Sequence, residues 1–249
     1  MGYKRGPDIV LDKLVFAIDA ITTRTYPGTG AVVYDLSGNG YNGTLVNGMG
    51  LVIDSTTGPC FQGDGTNDNI TFPESNISKD PSFYLGDSFG NFTYECWVKR
   101  EGTSASSGPR IMSTDASDYS ALYMNGAGAG NLLWRTNVNG ASQTLTYSAG
   151  LNTTDWYHIV GTHSLLSTVL TRNLYINGVS VLSGTGTSSA TSYGDGTSRA
   201  FGIFSNVEGT VQNNNCFNGK ITISRIYGKA LSAEEVLKNY TAHKKRHGH

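Results

Sequence analysis

The chain has 249 residues, a net charge of −1 and only 15% charged residues, a balance that excludes a general nucleic-acid binder, which needs a basic face to release phosphate counterions. Charge lies well below the ~25% of an average domain, while the 32 glycines stand well above the ~7% norm. No run of about 18 apolar residues occurs, and Asp12 and Lys13 interrupt the stretch from Ile9 to Ile18, so neither a membrane span nor a secretory signal peptide is expected.

Short apolar or alternating runs bounded by turn residues predict strands near Leu14–Asp19, Val32–Leu36, Thr44–Val46, Leu51–Asp54, Cys60–Gln62, Asn69–Phe72, Phe92–Lys99 and Arg110–Ser113. They continue at Ala121–Met124, Leu132–Asn137, Ser142–Tyr147, Tyr157–His163, Asn173–Ile176, Val179–Leu182, Arg199–Phe204 and Lys220–Tyr227. This is too many for a small barrel and fits two stacked antiparallel sheets. Alternation puts Phe92, Tyr94, Cys96 and Val98 on one face, with Thr93, Glu95, Trp97 and Lys99 on the other. It likewise groups Phe217, Gly219, Ile221 and Ile223. Asn177-Gly178, between two apolar runs, predicts a type I′ hairpin turn. Gly102–Gly108 and Ser183–Ser198 read as long loops. One helix is expected, opened by a capping box of Ser232 and Glu235 with Leu231 stapled onto Val236. His243, Lys244, Lys245 and Arg246 follow in or beyond its last turns, where cations suit the helix dipole, and read as a solvated basic tail or a segment held by a partner. Cys60, Cys96 and Cys216 are expected to be free thiols, a Cys60–Cys216 bridge being the alternative. The chain divides into an N-terminal arm (1–12), one body (13–231), and a helix with its tail (232–249).

Several motifs in order carry a resemblance: Leu14-Val15-Phe16-Ala17-Ile18-Asp19-Ala20; Tyr34-Asp35-Leu36-Ser37-Gly38-Asn39-Gly40-Tyr41-Asn42-Gly43; Phe61-Gln62-Gly63-Asp64-Gly65; Asp155-Trp156-Tyr157-His158; and Phe217-Asn218-Gly219-Lys220-Ile221 through Leu231-Ser232. Over about residues 14 to 240 the chain resembles the laminin-G-like jelly rolls of the concanavalin-A-like lectin/glucanase superfamily. The resemblance implies an all-β, two-sheet antiparallel jelly-roll sandwich with one short C-terminal helix, and Trp97 and Trp156 coincide with its core motifs. The opening Arg5-Gly6-Pro7-Asp8-Ile9-Val10 and the ending Leu231 to Ala242 are similar to lectin-fold structural proteins of tailed bacteriophages, especially those infecting marine cyanobacteria. That narrower resemblance implies a non-catalytic protein of the virion surface, a capsid decoration or fibre-associated protein. Its partners would be other virion proteins and further copies of itself, met through the N-terminal arm and C-terminal helix, and its ligands host-surface glycans. The alternatives are a carbohydrate-binding attachment module and a glycan hydrolase.

The residues themselves speak against hydrolysis. A glycosidase needs two carboxylates flanking the scissile bond, and the glucanases of this superfamily carry them on one strand as Glu-x-Asp-x-x-Glu or Glu-x-Asp-x-Glu. Glu74, Glu95, Glu101, Glu208, Glu234 and Glu235 form no such string. His158 and His163 fall on opposite faces of one strand, and no Gly-x-Ser-x-Gly elbow is present. Calcium is a candidate cofactor at Asp35, Asn39 and Asn42 in one glycine-punctuated turn and at Asp64, Asn67 and Asp68 in another, since hard cations take oxygen ligands from such loops. The same residues make Asx-turns without a metal. For sugars the candidate platforms are Tyr119, Tyr123, Trp134 with Arg135, and Tyr193 with Asp195, aromatic surfaces with polar neighbours.

Overall fold

A computed structural model describes residues 8–72, 91–114, 120–126, 130–138, 141–187, 200–208, 211–212 and 215–249. The strands in chain order are β1 (Leu14–Asp19), β2 (Val32–Val33), β3 (Gly43–Val46), β4 (Gly50–Asp54), β5 (Gly58–Asp64) and β6 (Asn69–Phe72). Next come β7 (Asn91–Arg100), β8 (Arg110–Thr114), β9 (Ala121–Asn125), β10 (Asn131–Val138), β11 (Ala141–Tyr147) and β12 (Tyr157–Leu166). The last are β13 (Val169–Ile176), β14 (Val179–Thr187), β15 (Phe201–Ile203), β16 (Val207–Glu208), β17 (Val211–Gln212) and β18 (Asn218–Tyr227), before the helix α1 (Ala233–His243).

Two eight-stranded sheets stack face to face. The back sheet runs β14-β13-β12-β7-β18-β5-β4, with β1 also paired to β18; the front sheet runs β11-β10-β9-β8-β15-β6-β3-β2. Every strand pair within them is antiparallel. These are the two stacked antiparallel sheets expected from the spacing of apolar runs, and the jelly-roll sandwich that the resemblance implies. The core between the sheets takes Phe92, Tyr94, Cys96 and Val98 from β7, facing Leu122, Met124, Leu132 and Trp134 from the front sheet. Trp134 lies edge-on to Phe92 and Tyr94 at centroid separations of 5.8 and 5.4 Å. Gly161 on β12 makes room for its ring: a Cβ there would fall 2.5 Å from Trp134 Cδ2. Cys60, Cys96 and Cys216 are buried free thiols.

Three expectations need correction. Strict alternation grouped Ile221 with Ile223, but the β18–β7 register shifts between them, Ile221 pairing with Val98 and Ile223 with Trp97. This bulge flips the parity of the strand: Phe217, Ile221 and Ile226 join the main core, while Ile223 packs outside it with Trp97, Trp156 and Cys60. The segment from Ser183 to Thr187, expected to be loop, is strand: β14 continues to Thr187 against β13, and the rest of the expected loop, 188–198, lies outside the described residues. The turn that extends the partner strand, between Leu166 and Val169, holds no glycine to signal it; Ser167 adopts φ 57° instead. The Asn177-Gly178 turn has the two positive φ angles, 51° and 79°, that a type I′ turn requires.

The third correction concerns the basic tail. Ser232 caps α1 as expected, accepting from Glu235 N at 3.3 Å and donating its own N–H to Glu235 Oε2 at 3.0 Å, and Leu231 and Val236 share one apolar cluster with Tyr227 and Val10. The residues after the helix are only partly solvated: His247 is buried and Arg246 half-buried, while Lys245 and Gly248 stay exposed. Lys244–His247 form a 3₁₀ turn that folds back onto the outer side of the back sheet: Arg246 grips Asp19 through both carboxylate oxygens, at 2.8 and 2.9 Å, and His249 Nε2 donates to Trp156 O at 2.8 Å. The arm is tied to the same helix, Val10 N donating to Asn239 Oδ1 at 2.8 Å. Among the described residues no helix is long and apolar enough to cross a membrane.

Candidate functional site

Each sheet has a face turned away from the core, and the two differ in kind. On the back sheet, the outward residues Glu95 (β7), His158 (β12) and Arg225 (β18) are buried beneath α1. Glu95 accepts from Arg225 Nη1 at 2.8 Å and Asn239 Nδ2 at 2.7 Å and lies 3.0 Å from His158 Nε2. Burial by itself would raise this carboxyl, but the Arg225 guanidinium, joined by His158 and Asn239, holds it down to about 2. Arg225 Nη2 also donates to His243 Nε2 at 2.6 Å. Beside this network, the Trp97 ring runs nearly parallel to those of His247, 3.8 Å away and tilted by 10°, and Tyr240, 5.7 Å away and tilted by 15°. His247 Nδ1 donates to His243 O at 3.0 Å, and its Nε2 accepts from the Thr222 hydroxyl at 2.8 Å. This face is a second small core in which Glu95, Arg225 and Asp19 are engaged by the chain's own C-terminus. Glu95 therefore has a charge partner and no access to substrate. Glu101 is engaged by Lys220 at 2.6 Å and by Gln62, Glu234 and Glu235 serve the helix cap, and Glu74 lies outside the described residues.

The front sheet presents a different surface. Leu122 and Met124 of β9, and Leu132 and Trp134 of β10, point to the core, so pleat alternation turns Tyr123, Leu133 and Arg135 outward. Tyr123 stands opposite Leu133 on β10 and Arg110 on β8, and the Arg110 guanidinium sits 4.2 Å over its ring centroid. One step along the same face, Arg135 stands opposite Thr144 of β11, and Leu133 opposite Thr146. Both threonines are exposed, and Arg110, Tyr123 and Arg135 are half-buried. The segment after β15 folds over the neighbouring part of this face: Ser113 Oγ donates to Ser205 O at 3.4 Å, and a Cβ on Gly202 would lie 2.4 Å from Ser205 O. The result is a polar shelf with one aromatic ring under Arg110 and with Arg135 farther along the same face, walled on one side. The described strands of the front sheet contain these two arginines and no Asp or Glu.

Of the sugar-contact candidates, Tyr123 and Arg135 both lie on this shelf. Tyr119, Tyr193 and Asp195 lie outside the described residues. Trp134 is corrected: it is fully buried, its Nε1 donates to Thr162 O at 2.9 Å, and its ring has no face to offer a ligand. Arg110 is not legible in the sequence, because its stacking on Tyr123 depends on the β8–β9 register, itself shifted by a bulge between Arg110 and Met112.

The candidate calcium loops are closed by their own hydrogen bonds. Asp35 Oδ1 accepts from Ala17 N and Ser37 N at 3.0 and 2.9 Å, and Oδ2 from Ser37 Oγ and Tyr41 N at 2.6 and 3.2 Å. Asn42 Oδ1 accepts from Asp35 N at 3.0 Å, and Asn39 Nδ2 donates to Val15 O at 2.7 Å. Asp64 Oδ1 accepts from Thr66 N and Asn67 N at 2.7 and 3.2 Å, and Asp68 Oδ2 from Asp64 N at 3.3 Å. These are Asx-turn geometries, which the same residues make without a metal. Among the described residues no group of three or more His, Cys, Asp or Glu side chains is placed to hold a metal ion.

Comparison with solved structures agrees with the architecture. The chain superposes on the Botulinum Neurotoxin Type G Receptor Binding Domain (TM-score 0.59, 18% identity), with 92% of this chain and 51% of that one covered. It superposes likewise on the binding domain of Paraclostridial Mosquitocidal Protein 1 (TM-score 0.62, 18% identity, 94% and 53% covered). A third is the botulinum neurotoxin serotype D ligand binding domain in complex with N-acetylneuraminic acid (TM-score 0.59, 16% identity, 93% and 51% covered). The chain thus spans about half the length of these structures, and at such identities the likeness is one of fold. No curated protein matches the sequence. The profile of a laminin-G-type family, described as Concanavalin A-like lectin/glucanases superfamily, matches residues 64–237, from the end of β5 into α1, and the chain belongs to that family.

Proposed function

We propose that the chain is a non-catalytic carbohydrate-binding module that takes an acidic glycan on the shelf around Tyr123. One observation carries this reading: the front sheet turns Tyr123 outward under Arg110, with Arg135 on the same face and no acid on its described strands, while Glu95, Trp97 and His158 on the back sheet's outer face are buried under α1 and the tail. Tyrosine offers rigid amphipathic area for a sugar ring, and a guanidinium matches the geometry of a carboxylate or sulfate. The serotype D toxin domain, a fold neighbour, was solved in complex with an acidic sugar, N-acetylneuraminic acid, which supports this ligand class. The virion-surface setting, with capsid or fibre proteins and further copies of the chain as partners, rests on the resemblance of the two terminal segments alone.

A glycan array of matched sialylated or sulfated and neutral oligosaccharides, read against the purified chain, tests the ligand. Acidic members bind at least ~10-fold more tightly, a difference of about 1.4 kcal/mol, with the preference shrinking as salt rises. Binding that survives Tyr123→Ala and Arg135→Ala unchanged, or binding indifferent to charge, overturns the assignment. Immunogold labelling of intact particles tests the setting.

A further inference from the structure

At the end of the sandwich where the β12–β13 and β10–β11 hairpins turn, the interior changes character. His163 and Arg172 are register partners across β12 and β13, and Thr136 and Gln143 are partners across β10 and β11. Their inward neighbours along the same strands, Leu170, Leu174, Trp134 and Leu145, are core residues, so these positions point between the sheets. His163 stacks on Phe92 at 4.8 Å. The two pairs join through one bond, Arg172 Nη2 donating to Gln143 Oε1 at 2.6 Å. Exposure is 4% for Arg172, 1% for His163 and 0% for Thr136. Yet Arg172 Nε and Nη1, both ring nitrogens of His163 and Thr136 Oγ1 have no hydrogen-bond partner among the described residues.

The backbone is shaped for these side chains. A Cβ on Gly184 would lie 2.8 Å from Leu145 Cδ2 and 3.5 Å from Arg172 Nη2, and one on Gly186 would lie 2.8 Å from Gln143 Oε1. Leaving a guanidinium buried without a countercharge is strongly unfavourable, and buried polar groups in folded proteins find protein, water or ion partners. The atoms left open are chiefly donors: three guanidinium hydrogens, a hydroxyl and one imidazole N–H. Water satisfies donors but does not neutralise the charge.

We propose that Arg172, His163 and Thr136 form an interior site for a small monovalent anion of halide size, bound between the sheets and independent of the glycan shelf. The occupant closes the hairpin end of the sandwich, so it acts on stability, and the site works whether or not the shelf binds sugar.

Thermal melts of the purified chain in sodium bromide against sodium gluconate, at equal ionic strength and pH, test it. Bromide raises the wild-type melting temperature saturably, by about 5 °C at concentrations far above its dissociation constant. Arg172→Met, which replaces the unpaired charge by an apolar side chain, melts above the wild type in gluconate and does not respond to bromide. If Arg172→Met fails to fold, Thr136→Val carries the same test and gives a weakened bromide response. Crystals grown in bromide show an anomalous peak within hydrogen-bonding reach of Arg172. Equal responses in wild type and variants, no response in the wild type, or water alone at the position overturns the proposal.

Discussion

The two outward faces of the sandwich are made from the same kind of pleated strand but have opposite fates. On the back sheet, outward positions hold Glu95, Trp97, His158 and Arg225, and the chain folds its own C-terminus over them until Glu95 and His158 are fully buried. On the front sheet, outward positions hold Tyr123, Arg110 and Arg135, and the two threonines beside them stay exposed. A charged or aromatic residue at an outward strand position thus says nothing about function until its cover is known. Glu95 beside a histidine has the residue types of a catalytic pair, and its surroundings make it a pin for the helix.

The sharpest way to break the closed face is Glu95→Ala. It leaves Arg225 buried without its carboxylate, and we expect a loss of about 3–5 kcal/mol in urea-unfolding free energy. The same face predicts acid sensitivity. Burial, and for His243 also the Arg225 charge, depresses His243 to about 2 and His247 to about 3. Both are neutral in the folded chain and protonate near 6.5 when unfolded, so below that pH the unfolded state binds more protons and stability falls as pH falls. Each group contributes up to about 1.4 kcal/mol per pH unit. Glu95, depressed to about 2, adds its own loss as pH drops below the ordinary glutamate range. Melting curves from pH 7 to pH 4 should decline steadily, and more gently in His247→Phe. A core change between the two faces is smaller: Gly161→Ala drives a methyl into Trp134 and should cost about 1–3 kcal/mol, measured in urea.

The open face should respond in the opposite sense. Tyr123→Ala is expected to shift stability by less than about 0.5 kcal/mol while weakening acidic-glycan binding about tenfold, seen by pairing a melt with a titration. An equal loss of stability would make Tyr123 part of a packed face and erase the contrast. At the small end, chelation followed by millimolar calcium should leave the melting temperature unchanged, because Asp35 and Asp64 already accept the N–H groups of their own loops; a saturable rise would assign a metal to those turns.

Much was determined locally and was therefore legible. Strand positions followed from alternation, the 177–178 hairpin from a dipeptide that tolerates two positive φ angles, and the start of α1 from Ser232 and Glu235, because each depends on neighbours a few residues apart. What failed depended on register or on segments distant in the chain. The bulge after Ile221 moved Ile223 to the other face, the β8–β9 pairing set Arg110 over Tyr123, and Trp134 proved to be core because the back sheet offers Gly161 opposite it. The fate of the tail was likewise decided far upstream, by Trp97 and Asp19. Local stereochemistry chose the strands and turns; which surface is covered and which is left to meet a ligand was chosen only when the sheets stacked and the C-terminus found its face, since burial is a property of the packed chain and not of any one segment.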